Sequence, residues 1–406
     1  MLRSARASLR ATLAAQTAGM PATFWWLWSG ALVSALATFV FPFLTLYLSG
    51  HGFDAQRIGL LVSLLGVGAV FAGPLAGTIA DRFGRRPAVL GSLVVTAAAA
   101  AYLALVRDPL LVAPGVLLYG LASSMGRPAI NATVADLLPE GHVARGFALL
   151  YWANNLGIGV SALIGGMLAS KSWLGLFLVD ALTTAVFAAV VWKRVPESRP
   201  APSGAAGARG WSTVLRDRTF AAFLLAQLGF GVVFWQFMFA VPLAMKRQGL
   251  GAERFGQVVA VNCLLCVLVQ PLAARQLSRH SPTRVLALAS LLMGAGYGAY
   301  ALCTTTLQYL WATGLWSLGE VLGLPAASAL VARLAPPDLR GRYQGSFTLT
   351  YALSMTLAPI AGGAIIARAG TGPLWLSCAA VGLCVASAQL SLDPAQRARP
   401  LLERAE

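Results

Sequence analysis

The chain has 406 residues, 58% of them hydrophobic and only 11% charged, whereas a soluble domain is about 45–50% apolar and about a quarter charged. That composition excludes a soluble enzyme and describes a polytopic helical membrane protein with the lipid bilayer as its first partner. The net charge of +16 would suggest nucleic acid on a soluble protein; here it reads as the Lys/Arg excess of loops on one side of a membrane, and no nucleic-acid partner is expected.

Residues 1–23 carry Arg3, Arg6 and Arg10 without a long apolar stretch. They read as a cytoplasmic arm rather than a cleaved signal, with a basic transit-like peptide as the alternative. A spanning helix needs about 20 mostly apolar residues. Twelve such stretches follow: 24–48, 57–80, 87–106, 110–135, 146–170, 173–193, 219–246, 254–275, 284–304, 307–332, 343–367 and 373–392. Connections are short except 194–218, which holds Pro196, Pro200 and Pro202, several glycines and a run of basic residues. It is the expected cytoplasmic linker between two six-helix halves, 24–193 and 219–392, with 393–406 as a tail. The expected fold class is an all-α membrane protein with twelve transmembrane helices in two pseudo-symmetric halves.

The halves repeat at a constant offset of 197 residues. Gly52, Ala55, Arg57 and Gly59 correspond to Gly249, Ala252, Arg254 and Gly256. Pro128-Ala129 corresponds to Pro325-Ala326, and Gly165-Gly166 to Gly362-Gly363. Chance apolar similarity drifts in register, whereas this offset holds across four helices. With the N-terminus inside, 22 of the 30 Lys and Arg fall on the cytoplasmic side and 7 on the outer side. That asymmetry predicts both termini in the cytoplasm.

Catalytic constellations are absent from the sequence. His51, His142 and His280 all fall in predicted loops, and no His, Cys or carboxylate group has metal spacing. Cys263-x-x-Cys266 lies within an apolar helix, where redox or zinc chemistry is not expected. No cofactor is expected. The nearest thing to a phosphate loop, Gly165 to Ser172, lacks its second glycine and sits at the outer end of a span, so ATP does not drive this chain.

The loop between the second and third stretches reads Gly77-Thr78-Ile79-Ala80-Asp81-Arg82-Phe83-Gly84-Arg85-Arg86-Pro87. It resembles the Gly-x-x-x-Asp-Arg-x-Gly-Arg-Arg/Lys signature of the major facilitator superfamily, with all six defining positions filled: Gly77, Asp81, Arg82, Gly84, Arg85 and Arg86. The resemblance covers essentially the whole chain after residue 20. It implies a secondary transporter working by alternating access, with Asp81 and its arginines as a gate latch. The positively polarised N-terminus of the eleventh helix would hold the Asp81 carboxylate.

Ionisable residues inside spans are few, costly and functional by default. Arg127 lies in helix 4, roughly 25 Å from its outer end, and Glu320 in helix 10, roughly 20 Å from its own. The resemblance implies that both helices line the central cavity. Pseudo-symmetry then places acid and base on opposing walls, about 6 Å apart in depth. Asp180 in helix 6 is a further proton- or substrate-coupling candidate, or a structural partner. Gln227, Trp235 and Gln236 on helix 7, Asn262 on helix 8, Trp316 on helix 10 and Asn131 on helix 4 fill out a candidate cavity.

One deep acid among Trp, Phe and Met suits an amphipathic or cationic ligand. The expectation is proton-coupled efflux of a small amphipathic, hydrophobic or cationic compound by a monomer in the bacterial inner membrane. One departure weakens the antiporter reading: Ser161-Ala162 stand where such exporters carry Gly-Pro in helix 5. Transport of a sugar or other polar metabolite, and a non-transporting receptor on the same fold, remain as alternatives.

Overall fold

The computed structural model describes residues 20–197, 211–277, 280–336 and 339–402. Most of the expected N-terminal arm, most of the linker and the end of the tail lie outside the described residues. Among the described residues there is no β-strand, and twelve helices are long and apolar enough to cross a membrane. We number these as spans. Spans 1 to 6 are Ala22–Gly50, Ala55–Phe83, Arg85–Leu105, Pro109–Leu137, Arg145–Ala169 and Trp173–Arg194. Spans 7 to 12 are Arg218–Arg247, Ala252–Gln270, Pro282–Leu302, Thr306–Leu334, Arg340–Ala369 and Thr371–Leu392.

The packing obeys the repeat. Span 2 packs on span 4 as span 8 packs on span 10, span 3 on span 6 as span 9 on span 12, and span 1 on span 5 as span 7 on span 11. Two seams join the halves: span 2 against span 11, and span 5 against span 8. Small residues let the backbones touch there, as apolar helices in lipid require for close packing. A Cβ on Gly363 would lie 2.7 Å from the carbonyl oxygen of Ala55. At the mate seam, a Cβ on Gly166 would lie 2.8 Å from that of Ala252. Gly59 is likewise pressed against the Pro359 carbonyl, and its mate Gly256 against that of Ala162. Each contact has its partner at the 197-residue offset.

The seams close at one end only. At the end away from the Asp81 motif, a single buried cluster runs through both halves and includes Phe43, Phe177, Phe237, Phe255 and Trp375. At the motif end each half has its own cluster, one around Phe24, Val89 and Val191, the other around Phe220, Phe223 and Tyr343. Gly73 and Gly77 on span 2, and Gly341 and Gly345 on span 11, face open space. The halves therefore part toward the motif side.

Span 1 is not one continuous helix, as the 24–48 expectation had it. It runs Ala22–Ala35, breaks, and resumes as Val40–Gly50. The break contains no Pro or Gly; tertiary partners sustain it. The freed backbone N–H groups of Phe39 and Val40 both donate to Asp180 Oδ2 at 2.8 Å. The Thr38 carbonyl accepts from Ser161 Oγ at 3.0 Å. Unpaired backbone groups are costly inside a bilayer, so a break survives only where neighbouring spans satisfy it.

Candidate functional site

Glu320 lies midway along span 10, half-buried, where the separation of the halves begins. Asn262 of span 8 donates from Nδ2 to Glu320 Oε2 at 2.7 Å and reaches Ser317 Oγ at 3.0 Å. Cys266, one turn along span 8, also hydrogen-bonds the carboxylate. Position 262 and position 266 share a helix face by i,i+4 spacing, which aims both at span 10. Among the described residues no Lys or Arg lies within ion-pair distance of Glu320.

Arg127 does not meet Glu320. It is exposed on span 4, near Tyr151 of span 5. Tyr151 is also hydrogen-bonded to Cys266 and within electrostatic reach of Glu320. Tyr151 thus interacts with both Arg127 and Glu320.

The aromatic wall comes mainly from span 7. Trp235 is half-buried, with its ring 5.1 Å from Phe234 and 5.8 Å from Phe41 of span 1. Phe234 in turn lies 6.4 Å from Tyr351 of span 11. Trp235 Nε1 and the Tyr351 hydroxyl have no hydrogen-bond partner among the described residues. Tyr151, Tyr351 and Phe41 were not singled out in the sequence. A mid-span Tyr carries a polar tip that needs a partner or a cavity, and that signal could have found the first two.

The other candidates take other places. Trp316 is fully buried; its Nε1 donates to the Tyr300 hydroxyl at 2.7 Å and its ring packs 4.8 Å from Phe237. It lies behind the wall, one turn from Glu320. Gln236 is buried and ties span 7 to span 11 through its Nε2 and the Ala358 carbonyl, 2.8 Å apart. Gln227 is buried, and Asn131 is exposed on span 4 one turn from Arg127. Asp180 is buried away from Glu320, where Tyr119 and Thr184 hydroxyls lie 3.5 Å from its carboxylate in addition to the two backbone donors.

At the motif, Gly84 adopts φ 107°, a conformation that favours glycine, and turns span 2 into span 3. Glu197 accepts from the Arg85 backbone N–H at 2.7 Å. Arg85 lies 3.8 Å from Asp81 and 3.4 Å from Asp136 at the end of span 4. Arg86 donates to the Trp192 carbonyl of span 6. Asp81 is exposed and has no partner on span 11 among the described residues. These contacts of Arg85 and Arg86 stay within the first half or its junction with the linker, in keeping with the open motif end.

Twelve spans in two repeated halves, closed at one end and carrying an acid midway along span 10, define a polytopic membrane transporter rather than an enzyme. The family model described as Major Facilitator Superfamily matches residues 27–319 and 254–405. The chain belongs to that superfamily. It is 27% identical over 391 residues to "Multidrug resistance protein MdtH" of Aeromonas salmonicida, covering 94% of this chain and 97% of that one. It is 25% identical over 356 residues to a "Na(+), Li(+), K(+)/H(+) antiporter" of Planococcus maritimus, covering 79% and 84%. Among solved structures, the nucleoside transporter NupG superposes with a TM-score of 0.71 at 17% identity over 92% of this chain and 99% of that one. A peptide transporter POT in complex with sulfate gives a TM-score of 0.80 at 13% identity, covering 94% and 96%. At these identities the structures speak for the fold alone.

Proposed function

We propose that this transporter works by alternating access as a proton-coupled exporter of small amphipathic, hydrophobic or cationic compounds, with Glu320 as the coupling acid. The observation that carries this reading is the carboxylate of Glu320, deep in a span, held by the neutral donors Asn262 and Cys266 and by no ion pair. Such an acid can hold a proton or face a cationic ligand, so the two compete for one site. The rings of Phe41, Phe234, Trp235 and Tyr351 offer surfaces that attract organic cations. A sugar or other polar metabolite would need a more polar wall than these rings supply. The names of the two relatives, a multidrug resistance protein and a cation/proton antiporter, point the same way.

In this reading the open end faces the cytoplasm, both termini are cytoplasmic, the membrane is the bacterial inner membrane, and one chain holds a complete pathway. Arg127 modulates the site through Tyr151, which interacts with both. Asp81 and its arginines latch the open end when the halves close there. The test is Glu320→Gln in proteoliposomes with ethidium as probe. Transport driven by a pH gradient should be lost while exchange without a gradient persists. Undiminished proton-driven transport in this variant would remove Glu320 as the coupling acid.

A further inference from the structure

At the end opposite the motif, away from Glu320, a cavity of about 900 Å³ lies across the boundary between the halves. Its rim is basic, with Arg57 from span 2 and Lys246 and Arg247 from span 7. Its floor is apolar, with Ile58, Leu60, Leu243 and Ile366. Leu60 is 52% exposed, so the floor continues onto the outer, lipid-facing surface of span 2. The cations sit where spans begin or end, at the depth of lipid headgroups.

The charge is only partly compensated. Asp54 caps span 2, accepting from the Arg57 backbone N–H at 2.9 Å, and also pairs with the Arg57 guanidinium at 3.3 Å. Lys246 Nζ donates to Ser49 Oγ at 2.9 Å, one of its three possible bonds. Those two residues are mates at the 197-residue offset, so this bond joins equivalent positions of the two halves. Arg247 has no hydrogen-bond or ion-pair partner among the described residues. The repeat does not require this rim. The mates of Lys246 and Arg247 in the first half are Ser49 and Gly50, and the mate of Gln56 is the acidic Glu253. The first-half mates of Lys246 and Arg247 carry no charge, so the repeat does not reproduce this basic rim at the other seam.

We propose that this pocket binds an anionic phospholipid of the leaflet opposite the motif, its phosphate among Lys246, Arg247 and Arg57 and its acyl chain along Leu60. Both halves contribute to the pocket, so it is complete only while they are closed at this end. A lipid bound there would hold that closure. The inference does not depend on which side of the membrane this end faces or on Glu320.

The experiment uses the full-length protein in nanodiscs and reads lipid retention by native mass spectrometry, comparing phosphatidylglycerol with phosphatidylcholine. Each cation near an anionic lipid surface is worth roughly fivefold in binding. Phosphatidylglycerol should be retained selectively, and the Lys246→Gln/Arg247→Gln double variant should bind it about thirtyfold more weakly. The charge-conserving Lys246→Arg/Arg247→Lys variant should retain it, which separates lost charge from lost folding. Inorganic phosphate at millimolar concentration should not displace the lipid, because it has nothing to place on the apolar floor. Equal retention of the two lipids, insensitivity to the double Gln variant, or full displacement by inorganic phosphate would each overturn the proposal.

Discussion

Replacing Gly363 by Ala places a methyl group 2.7 Å from the Ala55 carbonyl oxygen, a backbone atom that cannot rotate away. The seam between spans 2 and 11 must then open by several tenths of an ångström or more. Overpacking of this kind costs about 1–3 kcal/mol. The cost falls only on the conformation in which this end is closed, because the clash vanishes once the halves part. The balance between closed and open at this end should therefore shift about 5- to 150-fold toward open. Gly166→Ala, whose added methyl would lie 2.8 Å from the Ala252 carbonyl at the mate seam, should act in the same direction. Gly345→Ala meets nothing within 4 Å in this conformation and should leave the balance unchanged or move it the other way. The assay is double electron–electron resonance between spin labels at Gln56 and Arg368, both exposed at the closed end. Longer distances should gain population in Gly363→Ala and Gly166→Ala. Unchanged distributions, or the same lengthening in Gly345→Ala, would refute the role of the seams.

The other expectations concern acids and topology. Asp180→Ala strands the N–H groups of Phe39 and Val40, each bonded to a charged acceptor worth about 1.5–3 kcal/mol, and should lower the melting temperature sharply. Asp180→Asn can present its amide oxygen to the same donors and should retain proton-driven transport with a smaller loss; abolished coupling at unchanged stability would instead make Asp180 a coupling acid. Asp81→Asn should lower transport while ligand binding persists, with spin-label distances across the motif end shifted toward open; normal transport with unchanged distances would reject the latch. Reporters fused within 200–208 or at Glu406 should lie in the cytoplasm, and labelling of either from outside intact cells would reverse the orientation.

The twelve spans were legible because bilayer thickness dictates their length and the bilayer excludes charge from them. The repeat was legible because its register never drifts, and the seam glycines Gly59, Gly166, Gly256 and Gly363 all obey it. The break in span 1 was not. Nothing in Leu36-Ala37-Thr38-Phe39 interrupts a helix locally; Asp180 and Ser161, more than 120 positions away, supply what the broken backbone needs. Asp180 thereby shows why an acid in a span admits a structural as well as a functional reading until its partners are known. The cost of a charge inside a span singles out Glu320, and the structure sets Asn262 within hydrogen-bond distance of it. Trp316 lies one turn before Glu320, but spacing alone cannot tell a cavity from a neighbouring helix, and the indole donates to the Tyr300 hydroxyl in the core. Symmetry predicts Arg127 opposite Glu320, but it says nothing of Tyr151, which interacts with both. The open end was beyond sequence reasoning, since it reflects a balance between two packings of the same residues.

The most direct test of proton coupling is a proton measurement rather than a flux of ligand. Wild-type protein and Glu320→Gln are reconstituted in liposomes containing a pH-sensitive dye, with a pH gradient imposed and ethidium then added. Proton-coupled antiport predicts that ethidium dissipates the gradient in wild-type vesicles, in proportion to its uptake, and leaves it intact with Glu320→Gln. Ethidium uptake by the wild type with no movement of protons, or equal dissipation in both preparations, would contradict the account.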